Sequence, residues 1–164
     1  MVKDKIVEAL NHQLNSELFS SYKYLAMAAY LENENLSGFS HWMQLQSQEE
    51  YGHAMKFYGY ILQVGGKVNL QNITASKETW KSVSDVFEET LKHEQEVTKS
   101  IYDIMDLTLA DKDHATSIFL QWFVNEQVEE EATADKILKK IKLVGDTKNG
   151  LFLLDREMGM RAAK

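Results

Sequence analysis

Cysteine and proline are both absent from the 164-residue chain, and each absence removes a class of structure. Without cysteine there is no disulfide, no thiolate-bound zinc and no cysteine-held iron–sulfur cluster. Without proline nothing obliges a helix to kink or stop. Glycine is scarce as well: there are eight, and the breaks they make fall mostly at Gly38, Gly65, Gly66, Gly145 and Gly150. No apolar run approaches the roughly 20 residues that a membrane span needs, so no membrane partner is expected. Basic residues are the minority charge, 18 against 25 acidic, for a formal charge of -7. Such a field repels nucleic-acid phosphates and draws cations into any acidic cleft. Nucleic acid is therefore not an expected partner. The opening MVKDKIVEALNHQ goes directly into a charged, periodic pattern, which leads us to expect no secretory signal and a cytoplasmic location.

What is present is the helical period. The length suits one domain, and 44% hydrophobic with 26% charged residues is ordinary for a globular chain. We expect a single domain over residues 1–164, with helices at about 3–34, 38–65, 81–109, 113–143 and 148–160. The first carries Leu10, Leu14, Leu18, Ser21 and Leu25 at three- and four-residue steps. Ser37 is the expected N-cap of the second, Trp80 or Ser82 the start of the third, and Asp111 or Asp113 the cap of the fourth. Helices of nearly 30 residues would be about 40 Å long at ~1.5 Å per residue, so the architecture is an all-α four-helix bundle with a short fifth C-terminal helix. Short links make antiparallel hairpins of the first and second pairs. The stretch KVNLQNITASKETWK, with strand-like Val68, Leu70 and Ile73, is long enough at ~3.3 Å per residue to form one long crossover.

Polar residues interrupt the apolar stripes at helical spacing. Glu17 lies three residues after Leu14; Glu50 and His53 follow Met43 by seven and ten; Glu94 is three after Leu91; Glu126, Gln127 and Glu130 lie between Phe123 and Ile137. Every long helix thus turns at least one carboxylate inward. The positions also repeat: Glu17 to Glu94, Glu50 to Gln127 and His53 to Glu130 are each displaced by 77 residues. Each hairpin therefore offers an acid on its first helix and an E-x-x-H or Q-x-x-E pair on its second, at matching heights.

An inward Glu17 or Glu94 taken alone reads more readily as a hydrogen-bonded or snorkelling residue. The spacing of the set reverses that reading. Several buried carboxylates without Lys or Arg on the same stripes require compensation, since one unpaired buried charge costs several kcal/mol. Bound cations supply it, and oxygen ligands with one imidazole and no thiolate suit Fe or Mn. Gln127 is a neutral ligand or an outer donor. Glu49 and Glu129 are either ligands or solvated charge, and Glu131 reads as surface charge. Tyr24, seven residues past Glu17, is either an ordinary core tyrosine or a hydrogen-bonding partner and electron donor for a nearby metal. His12, His41, His93 and His114 read as surface or packing residues, and Trp42, Trp122, Phe119 and Phe123 as core.

The layout Glu17, Glu50-x-x-His53, Glu94, Gln127-x-x-Glu130 resembles the ferritins, specifically the haem-free bacterial ones, a group known for di-iron sites in such bundles. The resemblance covers nearly the whole chain, including YKYLAMAAYLE, HWMQLQSQEEYGHA and FVNEQVEEE. It implies a ferroxidase centre in which Glu17, Glu50 and His53 hold one iron, Glu50 bridges, and Glu94 with Glu130 holds the second beside Gln127. A third iron position drawn from Glu49, Glu126, Glu129 and Glu130, with Tyr24 nearby, is also implied. So are oxidation of Fe(II) by O2 or peroxide, a shell of 24 subunits storing ferric mineral, and a last helix lining a pore. Bacterioferritins carry a second E-x-x-H where Gln127-x-x-Glu130 stands and a haem-ligating Met where Tyr51 stands, so no haem is expected. Two rival readings remain: a di-iron or di-manganese oxidase acting on an organic substrate or peroxide, and an acidic helical scaffold with incidental metal binding.

Overall fold

The computed structural model describes residues 2–145 and 147–163. Five α-helices occupy most of them: α1 Asp4–Asn33, α2 Ser37–Gln63, α3 Val83–Ala110, α4 His114–Val144 and α5 Lys148–Met158. The first four form a bundle, and α5 packs on α2 and α4. Helix boundaries agree with the expected ones to within about two residues, the usual fraying margin.

Local chemistry explains the ends. Ser82 and Asp113 cap α3 and α4, accepting from Asp85 N and Thr116 N at 3.1 Å each. Asp111 does not cap α4; it ends α3, receives Lys3 and Lys5 at 3.1 and 2.8 Å and ties the N-terminus to the α3–α4 turn. Ser37 is not a cap either. The cap position of α2 falls on Leu36, and the free Phe39 N–H is met by Asp155 Oδ1 of α5 at 2.9 Å. That contact depends on Gly38, where a Cβ would sit 1.7 Å from the Asp155 carbonyl oxygen; only a residue without one lets the helices approach so closely.

Residues 64–82 form the crossover. No strand forms among the described residues; the apolar alternation at Val68, Leu70 and Ile73 does not find a ladder partner. Side-chain amides of α1 take that role instead. Asn11 donates to the Lys67 carbonyl and accepts from Asn69 N, and one turn later Asn15 donates to the Asn69 carbonyl and accepts from Gln71 N. The segment then runs beside α1 until Trp80 packs on Tyr30, with ring centroids 5.3 Å apart. From Asn11 to Tyr30 is about 28 Å of helix, which is the travel a long crossover must make.

The interior falls into two apolar clusters. One gathers Tyr24, Met27, Leu31, Phe39, Met43, Phe87, Ile137 and Ile141, with Leu154 and Met158 of α5. The other gathers Ile6, Leu10, Leu14, Phe57, Ile61, Ile101, Leu120 and Phe123. Two expected core residues lie elsewhere. Leu25 is 52% exposed, because the stripe that passes Leu14 and Glu17 continues through Tyr24, Met27 and Ala28. Trp122 is 39% exposed, on the outer side of the ring cluster around Phe123. Between the two clusters, at the same height on all four long helices, lies a polar layer.

Candidate metal centre

Glu17, Glu50, His53, Glu94, Gln127 and Glu130 are all buried, none more than 6% exposed. Each occupies an inward position of its helix, and the antiparallel hairpins bring the two sets of three to one height. Ligating atoms of Glu17, Glu50 and His53 lie within 4.8 Å of one another, and so do those of Glu50, Glu94 and Glu130. The two groups share Glu50. A third group, His53 with Glu126 and Glu130, meets the same limit.

Amides organise the layer. Gln46 donates to Glu50 Oε1 at 2.9 Å and to Glu130 Oε2 at 2.8 Å, linking α2 to α4. Gln13 donates to Glu17 Oε1 at 2.8 Å and is itself fixed by Ser100. Gln127 donates to Glu94 Oε2 at 3.2 Å. Tyr24 donates its phenolic hydrogen to Glu94 across the bundle from α1 to α3. His53 Nδ1 lies 3.3 Å from Glu50 Oε2, and its ring is held edge-on by Trp122 and Phe123. Sequence reasoning missed Gln13 and Gln46. Each stands four residues before an inward glutamate, on the same helix face, and that spacing was the available signal.

The charges are not alike. Burial and then the Glu50 charge push Glu17 and Glu94 well above the usual carboxylate range. The same two causes raise Glu130 to about 7. For Glu50, burial pushes upward, but the hydrogen bond and charge of His53, with help from Glu17 and Gln46, outweigh it and leave its pKa lowered. For His53, burial pushes downward and Glu50 more than reverses it. Metal-free, the layer is one Glu50–His53 ion pair beside acids that hold protons. Glu17 Oε2 is buried without a hydrogen-bond partner, an orphaned lone pair of the kind a cation satisfies. Four carboxylates, one imidazole and no thiolate form a donor set for a hard or borderline cation such as iron or manganese.

The remaining candidates lie around this layer. Glu126 is half-buried in the third group, and Glu129 is exposed and belongs to none of the groups among the described residues. Glu49 is half-buried and paired with Arg161 at 2.5 Å. Glu131 is less free than a surface charge, accepting from Thr98 Oγ1 at 2.5 Å. His93 packs: it is buried, hydrogen-bonded to Ser20 at 2.8 Å, and edge-on to Tyr24. Burial, then the nearby Lys23 charge, lowers its pKa to about 4.

Comparison with known proteins follows the same outline. Residues 7–144 match the family of ferritin-like domains. A bacterial non-heme ferritin of Bacteroides fragilis is 44% identical over 161 residues, covering 98% of this chain and all of the relative. One from Staphylococcus aureus is 38% identical, covering 98% and 97%. Among solved structures, an open-pore ferritin from the hyperthermophilic archaeon Archaeoglobus fulgidus superposes with a TM-score of 0.98 at 44% identity, covering 99% of each chain.

Proposed function

Because the chain belongs to the ferritin family, we propose that it stores iron, oxidising Fe(II) at the buried carboxylate layer and holding the ferric product inside a shell of its own copies. The observation that carries this reading is the pair of cation-sized groups sharing Glu50, built from all four long helices and buried, with no lysine or arginine buried beside them among the described residues. Fe(II) is the substrate. Glu17, Glu50 and His53 hold one ion, Glu94 and Glu130 the other, Glu50 bridges, and Gln127 orients Glu94.

Binding displaces the protons that Glu17, Glu94 and Glu130 retain and the one that His53 holds against Glu50, since only deprotonated carboxylates and a neutral imidazole ligate. The resulting negative charge favours Fe(III) over Fe(II), which makes loss of an electron from each ion downhill. Those two electrons, with two protons, reduce O2 to hydrogen peroxide or hydrogen peroxide to two waters. Tyr24 lies against Glu94 and donates its phenolic hydrogen to it. An electron leaving its ring can be matched by proton movement along that bond, the role we assign to it. Glu126, with Glu49 and Glu129 around it, is the region assigned to a third iron.

Self-assembly is supported by large apolar side chains left at the surface. Tyr51 and Leu62 of α2, Ile118 and Val128 of α4, and Phe152 and Leu153 of α5 are each at least half exposed. Twenty-four chains of 18.9 kDa would elute at about 450 kDa, which a scaffold dimer would not. No helix among the described residues is long and apolar enough to cross a membrane, in keeping with a cytoplasmic site of action. The deciding experiment is anaerobic Fe(II) titration with metal counted per chain, followed by admission of O2. Two ions per chain and their prompt oxidation are expected; fewer than two, or no oxidation, refutes the paired site.

A further inference from the structure

The C-terminal arm that follows α5 returns to the bundle. Arg161 lies along α2, where its carbonyl accepts from His41 Nε2 at 3.0 Å. Its Nη1 donates to the Trp42 carbonyl at 3.2 Å and its Nη2 to Glu49 Oε2 at 2.5 Å. The guanidinium is stacked 4.3 Å from the Trp42 ring centroid. The Arg161 and Glu49 side chains are only 17% and 14% exposed. A planar fork held by an anion, a carbonyl and an aromatic face is a specified placement, unlike the mobile ion pairs of an open surface.

Glu49 has a second relationship. It lines a cleft of about 370 Å³ together with His53, Lys56, Trp122, Glu126 and Ala163, so the arm that carries Arg161 also walls the cleft. The cleft reaches the His53 ring, a member of the inner layer. The other Glu49 oxygen, Oε1, is buried without a hydrogen-bond partner. Its charge is felt within the layer, being among the causes that raise Glu130. The His53, Glu126 and Glu130 group adjoins this cleft, with ligating atoms within 4.8 Å of one another.

A carboxylate neutralised by a charge-assisted guanidinium bond is a poor ligand, because binding a cation would require that bond to break and the half-buried arginine to lose its partner. We propose that Arg161 is a positioning residue that withholds Glu49 from ligation and so limits each chain to two tightly held cations. A third, over His53, Glu126 and Glu130, gains Glu49 only when the arm is released. This rests on the two-cation reading of the inner layer and adds to it a restraint on the outer position.

The test uses the assembled protein and Zn²⁺, which is redox-inert, with the ions that survive gel filtration counted per chain. The native chain is expected to retain two, Arg161→Ala three, and Arg161→Ala with Glu49→Gln two again. Glu49→Gln alone is expected to leave the count at two. Arg161→Gln, which keeps a donor for the Trp42 carbonyl, is the second variant should the alanine chain not assemble. A count of two in either arginine variant overturns the restraint while leaving the paired site standing. So does a native count of three that Glu49→Gln reduces. A native count below two removes the paired site itself and the restraint with it.

Discussion

The two hairpins bring the same spacing to the centre but different chemistry. The α1–α2 half ends in an imidazole, and its Glu50 and His53 settle into an ion pair 3.3 Å apart, each favouring the other's charged form. The α3–α4 half has Glu130 where the first has His53, and a neutral amide where the first has Glu50. It therefore lacks a histidine to hold a carboxylate charged, and burial with the Glu50 charge raises Glu94 well above the usual carboxylate range and Glu130 to about 7. Equal geometry with unequal charge means that the halves should not fill alike. Both halves release protons as an ion enters, the first from Glu17 and His53 and the second from Glu94 and Glu130, but only the first already holds a ligand carboxylate, Glu50, in its charged form. The difference can be broken or sharpened experimentally.

Removing the first half should have the largest effect. Glu50→Ala with His53→Ala deletes the shared bridge and the only imidazole. Both cation positions should weaken, and Fe(II) oxidation should slow by more than the roughly 10- to 100-fold that loss of an outer hydrogen-bond partner costs. Stopped-flow oxidation, with metal counted on the same sample, checks this. An unchanged rate would place the chemistry elsewhere.

Acidity should separate the halves next. An acid whose pKa rises on folding stabilises the folded state fully below its unfolded value near 4.5, and that contribution is lost as the pH climbs through the folded value. For Glu130, raised to about 7, the loss is at most about 3 kcal/mol between roughly pH 4.5 and 7.5, and Glu17 and Glu94 add to it in the same direction. Glu50, lowered by His53, works the opposite way: its contribution is complete above its unfolded value near 4.5 and is lost as the pH falls through its folded value. Metal-free protein should therefore lose thermal stability across this range relative to Zn²⁺-loaded protein, whose carboxylates are already deprotonated by the ion. His93, with its pKa lowered to about 4, destabilises both forms as the pH falls below about 6.5, and cancels in the difference. A gap between loaded and metal-free melting temperatures that stays flat from pH 5 to 8 would refute this.

These contrasts show which features could be read from the chain. Height and inward direction were legible for Glu17, Glu50, His53, Glu94, Gln127 and Glu130, because both follow from helical period and hairpin register, which are local or nearly so. Partner choice was not. That Tyr24 would meet Glu94 on α3, or that Arg161 would cross back to Glu49, depends on how helices distant in sequence lie against one another. The start of α2 shows the same limit: Ser37 was a reasonable cap locally, yet Asp155 of α5 supplies the oxygen. Leu25 was misplaced for a smaller reason, since four-residue steps drift off a 3.6-residue period and the buried stripe had moved to Tyr24.

Gln46 joins a carboxylate of each half, donating to Glu50 and Glu130 through a single nitrogen. Gln46→Leu keeps the volume and removes the link, leaving two buried acid oxygens to be met by cations alone. Metal affinity should fall about 10-fold, the lower end for an outer partner, with the count still two. Equilibrium dialysis against Zn²⁺ checks both numbers, and loss of an ion would mean that the amide holds the fold of the site and not merely its orientation.

Tyr24→Phe should have the smallest effect on binding and the most selective effect on chemistry. Phenylalanine fills nearly the same space within the apolar cluster that includes Met27 and Phe87, and the fold should tolerate it. Glu94 loses a hydrogen bond that favours its charged form, so its proton becomes harder to displace and only the α3–α4 half should bind more weakly. A shift confined to the second ion, by about threefold to tenfold for one net hydrogen bond of roughly 1 kcal/mol, is expected in a two-step titration. Equal weakening of both steps would mean that Glu50 couples the halves so strongly that their difference in charge does not decide the order in which they fill.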